Sequence, residues 1–242
     1  MSAEDRHDWK SLRGWLRSQL RDNQHATLDL LEDGDPALFW ACASVRTLSR
    51  GEQIFSACQR ADHVSWIQSG SARIYGISPY GRTVTYWYGR AGQFIGLAEV
   101  LSQVDRQVYA EAHEGVVVLE IEREYFNELL QRGNPLVHVV LDQLSTRLRR
   151  SCDATLALAT APVRSRLAHL LLLLFGEECD ELKARTALSE QYSQQELADM
   201  MGASRQATNE ALAELRSCGA IAVERGRLIL LDAAMLVSYE MI

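Results

Sequence analysis

The 242-residue sequence lacks the short signatures of an active site. It contains no Gly-rich phosphate loop, no HExxH zinc pair and no GxSxG nucleophile elbow. Nucleotide hydrolysis, zinc hydrolysis and serine-type acyl transfer are therefore without their machinery, and an enzyme is not expected. It lacks paired cysteines too. Cys42, Cys58, Cys152, Cys179 and Cys218 stand far apart, with no CxxC spacing. The odd number excludes a fully paired disulfide scaffold and fits reduced thiols. The longest apolar run, Leu167–Phe175, is broken by His169 and is too short to span a bilayer, so it reads as a buried helix. The N-terminus has no basic-then-apolar targeting signal. A cytoplasmic protein that does not engage a membrane is expected.

Positive charge is also short. The net charge is −7, and from Pro162 onward eight Lys/Arg stand against twelve Asp/Glu. No global basic field exists to attract nucleic acid. Any phosphate-binding surface has to be local, and Arg205, Arg216, Arg225 and Arg227 are placed to form a strip on one side.

Apolar residues are plentiful at 47%, enough for the cores of one large or two modest domains. Residues 8–31 have helical spacing, with Trp9, Leu12, Trp15, Leu16 and Leu20 on one side, and are expected to pack on the domain that follows. Asp33-Gly34-Asp35-Pro36 is a break. Short strands are expected at Val45–Leu48, Gln53–Phe55, Val64–Gln68, Ala72–Ile77, Thr83–Tyr88, Gln107–Ala112 and Val116–Ile121. The turn Ser78-Pro79-Tyr80-Gly81 joins two of them in a hairpin, and many short strands with regular turns make an antiparallel roll or sandwich.

Glu122–Arg132 reads as a short helix ended by Gly133-Asn134-Pro135, and a long helix runs from Leu136 to about Ala159. Along it Val137, Leu144, Ser151 and Leu158 recur every seven residues, interleaved with Leu141, Leu148 and Thr155. That is a heptad seam for a partner helix. Thr160-Ala161-Pro162 is a hinge, because proline removes a donor and clashes with the preceding turn. A helix Val163–Glu177 then carries Leu167, Leu170, Leu171 and Leu174, and Glu177–Gln191 is polar loop.

The stretch Tyr192–Leu231 is the most specific. Ser193 and Glu196 have capping-box spacing, Leu197, Ala198 and Met201 form an apolar face, and Gly202 sits at the turn. Ser204 suits the N-cap of the next helix, whose buried face is Ala207, Ala211, Leu212 and Leu215. Gly219 suits its end. Ile221–Val223 and Leu228–Leu231 flank the turn Arg225-Gly226, and Ala233–Ile242 is a short tail with helical character. A helix pair whose second member keeps its polar residues near its N-terminus is the layout of a DNA-reading helix-turn-helix. An ordinary surface hairpin is the competing reading.

The run Gln195-Glu196-Leu197-Ala198 through Gly202-Ala203-Ser204-Arg205-Gln206 resembles the Crp–Fnr (cyclic-AMP receptor/fumarate-nitrate regulator) family, and the likeness extends over about residues 30–235. The resemblance implies an α+β chain with an N-terminal antiparallel β-roll of the cyclic-nucleotide-binding type, a long dimerisation helix and a C-terminal winged helix-turn-helix. Its segments would be a helical extension (1–34), the β-roll sensor (35–134), the dimerisation helix and hinge (135–161) and the DNA-binding domain (162–242). It also implies a homodimeric transcription regulator on near-palindromic double-stranded DNA, with RNA polymerase as a further candidate partner. Arg205, Gln206 and Asn209 would read bases, while Ser193 or Ser204 with Arg225 or Arg227 would contact phosphates. Glu210 departs from the arginine of the family's best-known members, so the half-site is expected to differ from theirs.

The loop Gly92-Gln93-Phe94-Ile95-Gly96-Leu97-Ala98-Glu99, followed by Arg106, resembles the family's phosphate-binding cassette. Gly96 and Arg106 match. Leu97 replaces the ribose-binding Glu, Gln107 replaces the Ser, and Glu99 comes two positions late. In cyclic-AMP relatives two hydroxyl residues touch the adenine where this chain has Ser151 and Cys152. Loss of a charged acceptor weakens such a site by roughly 1.5–3 kcal/mol, so cyclic AMP bound in the usual way is not expected and the effector is unknown. Haem, held in some relatives, would need a ligand such as His63, His113 or His138 and is not expected. Neither is an iron–sulfur cluster, since residues 1–41 hold no cysteine. Two other readings remain, a cyclic-nucleotide-responsive regulator and a helix-turn-helix acting through protein contacts.

Overall fold

The computed structural model describes residues 43–131, 136–178 and 185–240. The helix expected over residues 8–31, the break at Asp33–Pro36 and Gly133-Asn134-Pro135 lie outside them, as does much of the polar stretch after Glu178.

Eight strands form the N-terminal unit: β1 (Ala43–Leu48), β2 (Gln53–Phe55), β3 (His63–Ser69), β4 (Ser71–Ile77), β5 (Thr83–Arg90), β6 (Phe94–Ile95), β7 (Tyr109–Ala112) and β8 (Val116–Glu122). They pair antiparallel in two four-stranded sheets, ordered β1-β8-β3-β6 and β2-β7-β4-β5. The expected hairpin joins β4 to β5. The Ser78 amide donates to the Arg82 carbonyl at 2.8 Å, and the Gly81 amide to the Ser78 carbonyl at 2.9 Å.

In the sheet β1-β8-β3-β6 the strands β8, β3 and β6 are buried on both faces, while β1 is largely exposed, and alternation along the strands decides what each side chain meets. On one face Ile67, Ile95, Val116 and Val118 join Phe55, Ala72, Ile74 and Ala110 of the other sheet. On the other, Val64, Trp66, Leu119 and Ile121 pack with helical residues. The register carries both sets across the sheet: Trp66 opposes Leu119, and Ile67 opposes Val118. The helical residues come from α1 (Leu97–Ser102), α2 (Arg123–Gln131) and the start of α3 (Leu136–Thr160). Burying one Leu or Phe here contributes roughly 1.5–3 kcal/mol.

Helix α3 has two apolar faces. Leu136, Val139, Val140, Gln143 and Thr146 are buried. Of the heptad seam, Leu144 packs on the core, whereas Leu141 55%, Leu148 67% and Leu158 53% are exposed. Such leucines in the solitary chain are unpartnered apolar surface. By packing, the described residues divide within α3, those to Arg149 going with the strands and those from Arg150 with the C-terminal helices.

The C-terminal unit adds α4 (Val163–Glu178), β9 (Thr186–Ala187), α5 (Gln194–Met201), α6 (Arg205–Ser217), β10 (Ile221–Glu224), β11 (Arg227–Leu230) and α7 (Ala233–Glu240). Leu167, Ala168, Leu171, Leu172, Leu174 and Phe175 of α4 are buried, and α5, α6 and α7 pack around that helix. The wing is a three-stranded sheet, β10-β11-β9, closed by the two-residue turn Arg225-Gly226. Both turn residues have positive φ, +53° and +79°, the geometry whose twist suits adjoining strands.

Three expectations are corrected. The cassette is not all loop, since a six-residue helix, α1, follows Gly96. The polar stretch before Tyr192 contains β9, which pairs with β11 and is too short to show any alternation. In α6, Thr208 rather than Ala207 is fully buried, because its hydroxyl donates to the Ser204 carbonyl at 3.0 Å. Ser193→Ala removes the N-cap acceptor of α5 and is expected to cost about 1 kcal/mol. The urea midpoint should fall with an unchanged slope; an unchanged midpoint would show the cap to be dispensable.

Candidate nucleic-acid interface and sensor cassette

The helix-turn-helix geometry follows from its caps. Ser193 Oγ accepts from the Glu196 amide at 3.1 Å, and Glu196 Oε2 accepts from the Ser193 amide at 2.7 Å. This capping box fixes the start of α5. Its end is set by Gly202, a left-handed residue at φ +60° whose amide donates to the Ala198 carbonyl. A Cβ there would meet Leu158 Cδ2 at 3.0 Å, so glycine is required on both counts. Ser204 Oγ then accepts from the Ala207 amide at 3.2 Å and starts α6.

Arg205, Gln206 and Glu210 are exposed on the first turns of α6. Gln206 Nε2 donates to Glu210 Oε1 at 3.1 Å. Asn209 is half-buried; its Oδ1 is buried and accepts no hydrogen bond among the described residues. Ser193 and Ser204 are exposed, and their hydroxyl protons remain free to donate to a phosphate while their oxygens cap the helices. Arg225 and Arg227 are exposed at the wing tip. Acidic groups share the surroundings: Asp199 accepts from Gln195 at 2.8 Å, and Glu224 pairs with Arg185 at 3.2 Å.

In the sensor unit the cassette closes on its own arginine. Arg106 is 1% exposed. Its Nη1 donates to the Gly96 carbonyl at 2.9 Å, and its Nη2 to the His63 carbonyl. The guanidinium lies 4.2 Å above the Phe55 ring, and Glu99 Oε2 is 3.9 Å from Nη1. Burial pushes the guanidinium pKa below its ordinary value, while the Glu99, Asp62 and Glu120 carboxylates pull it upward. Gly96 has φ +76°, and a Cβ on it would stand 2.2 Å from Arg106 Nη1, so the glycine makes room for the guanidinium. Leu97 is buried at 1% exposure, and Glu99 Oε1 accepts weakly from the Gln107 amide at 3.4 Å.

The cassette is also tied to α3. Gln143 Oε1 accepts from the Phe94 amide at 2.9 Å, and its Nε2 donates to the Gly92 carbonyl at 3.2 Å. Arg147 donates to the Phe94 carbonyl and lies 3.9 Å over the Trp87 ring.

Comparison with known proteins agrees with this geometry. Residues 45–133 match the model of the cyclic nucleotide-binding domain, and residues 165–239 that of the Crp-like helix-turn-helix domain. The chain belongs to the Crp–Fnr family. It is 27% identical to the transcriptional regulator LdrP of Thermus thermophilus, over 79% of this chain and 94% of that protein. It is 26% identical to the cAMP-activated global transcriptional regulator Vfr of Pseudomonas aeruginosa, over 71% of this chain and 81% of that one. Among solved structures, the c-di-GMP responsive global regulator CLP of Xanthomonas campestris shares the fold, with a TM-score of 0.72 and 23% identity over 81% of this chain and 98% of that one. The chain is thus a transcription regulator with a helix-turn-helix DNA-binding domain.

Within this Crp–Fnr chain the expected cassette residues Gly96, Leu97, Glu99, Arg106 and Gln107 come together. Ser151 and Cys152 are exposed on α3 beyond Arg149, in the other packing unit. On α6, Arg205, Gln206 and Glu210 face solvent as expected, whereas Asn209 turns its carbonyl oxygen inward. Sequence reasoning missed Gln143 and Arg147. Gln143 left a trace, as a polar residue at a position of α3 whose neighbours Val139 and Val140 are buried.

Arg106→Met strands two carbonyls and the Glu99 carboxylate, and is expected to destabilise the protein by about 3 kcal/mol or more. Adding Glu99→Gln should recover part of that loss in denaturant unfolding. A double variant no more stable than the single one would contradict the pairing.

Proposed function

We propose that the chain acts as a homodimeric, sequence-specific regulator that sets α6 of each protomer in the DNA major groove. The observation that carries this reading is the capped α6, with Arg205, Gln206 and Glu210 exposed on its first turns in a Crp-like helix-turn-helix domain. The exposed leucines of the α3 seam, Leu141, Leu148 and Leu158, support a partner copy. A two-fold dimer would address half-sites about 34 Å apart, hence a near-palindrome. Arg205 is the base-reading donor, suited to guanine O6 and N7. Ser193, Ser204, Arg225 and Arg227 hold phosphates, and RNA polymerase is a partner through surfaces outside this contact.

Cyclic AMP is not its effector in the standard mode. Arg106, the residue that would grip the cyclic phosphate, is directed to the chain's own carbonyls, and Leu97 offers no acceptor to a ribose hydroxyl. Relatives do not supply the effector by analogy, since Vfr is described as cAMP-activated and CLP as c-di-GMP responsive. The proposed site of action is the cytoplasm; among the described residues no helix is long and apolar enough to cross a membrane.

One observation favours a second reading, a helix-turn-helix used for protein contact: the acidic balance after Pro162, eight Lys/Arg to twelve Asp/Glu. Salt separates the two, because DNA affinity falls linearly on a log–log scale as phosphate counterions are released. Arg205→Ala should lower affinity for the selected palindrome by about 1–3 kcal/mol with the fold intact. Undiminished affinity in that variant removes Arg205 as a reader.

A further inference from the structure

Deepening the proposed reading of α6 as a major-groove helix, and resting on it, a narrower feature concerns what the helix can recognise. Glutamine ordinarily reads adenine with both ends of its amide, donating to N7 while accepting from N6. Gln206 is tied to an acidic neighbour instead of standing free. Its Nε2 donates to Glu210 Oε1 at 3.1 Å, one helical turn away, where residues four apart are neighbours. One of the two N–H donors of the amide is thus engaged within the protein. Asn209, the other residue type suited to adenine, has its carbonyl oxygen buried. Asn209 therefore does not present the paired donor and acceptor that adenine requires, and Gln206 is held toward the carboxylate.

What remains outward from the pair is mainly acceptor capacity: the Gln206 carbonyl oxygen and the free lone pairs of the Glu210 carboxylate, against one remaining amide N–H, all on exposed side chains. Arg205, exposed beside them, supplies the donors. We propose that Gln206 and Glu210 work as one acceptor unit that selects cytosine through its N4 amine, in a half-site whose guanine is taken by Arg205. Cytosine presents only that donor in the major groove. Adenine sets the N7 acceptor beside its amine, against the second carboxylate oxygen. Guanine and thymine present acceptors alone. The Gln206 amide also fixes the carboxylate on the helix surface, so Glu210 is the reading residue and Gln206 a positioning residue.

The test is selection of bound duplexes from a random pool by the full-length protein, at one salt concentration, for the wild type, Glu210→Ala and Gln206→Ala. The position read by Glu210 is defined as the one whose base preference changes in Glu210→Ala. The wild type should favour cytosine there about tenfold or more over the other bases, and Glu210→Ala should abolish that preference while the Arg205 guanine persists. Gln206→Ala should weaken the cytosine preference without abolishing it. A wild-type preference for adenine, guanine or thymine at that position overturns the proposal, as does a Glu210→Ala pattern identical to wild type. Loss of an adenine preference in Gln206→Ala overturns it as well. If a folded wild type enriches no sequence at all, the major-groove reading itself fails and the proposal falls with it, an outcome distinct from a pattern with the wrong base.

Discussion

A charge that cannot be left alone shapes the sensor unit. The Arg106 guanidinium is enclosed, and burying an unpaired cation would cost several kcal/mol. The chain surrounds it with the carbonyls of His63 and Gly96, the face of Phe55 and the carboxylate of Glu99. Each partner constrains its own neighbourhood. Gly96 has to be glycine and left-handed, which turns the chain from β6 into α1. Glu99 has to stay inside despite its charge, at 7% exposure. From the same β6 backbone, Gln143 and Arg147 carry the hydrogen bonding to α3. Cassette, sheet and helix are therefore joined by polar contacts within the core.

Those contacts bear on regulation. In a ligand-gated sensor the effector contributes differential contacts that shift the balance between two states. Here the chain's own backbone carbonyls occupy the arginine, and Gln143 and Arg147 join the cassette to the helix. The face of α3 that meets the sheet is filled, while the exposed leucines of the seam await a partner in the proposed dimer. Val139, Val140 and Gln143 hold the sensor, and Leu141, Leu148 and Leu158 are the residues assigned to the proposed dimer.

Much of this was legible in the residues. The eight roll strands differ from expectation mainly by the addition of β6, because short β-branched apolar runs such as Val116–Ile121 and the Ser78–Gly81 turn are strong local signals. The caps at Ser193, Gly202 and Ser204 were equally readable, since each is a short-range match between one side chain or one φ angle and a helix end. Features set by distant partners were not. Nothing local marks Thr186–Ala187 as a strand, since its pairing is with Ile229 and Leu230 far along the chain. Asn209 has the chemistry of a base reader, but the packing of α6 decides that its oxygen turns inward. Gln143 sits in an apolar stripe, and only the folded connection from β5 to β6 reveals the Phe94 amide and Gly92 carbonyl that it satisfies. The mismatch of Leu97 and Gln107 with a cyclic-AMP cassette was visible in sequence, whereas the turning of Arg106 onto backbone carbonyls was not.

The most direct test of a DNA-binding regulator whose sensor is held by its own residues is the affinity of the nucleotide-free protein for its selected palindrome, measured with and without saturating cyclic AMP at fixed salt. A ligand that binds neither state preferentially shifts nothing, so the two dissociation constants should agree within about twofold. A gain of about tenfold or more on adding cyclic AMP, equivalent to about 1.4 kcal/mol of coupling, would contradict the closed cassette and return the chain to the nucleotide-gated members of its family.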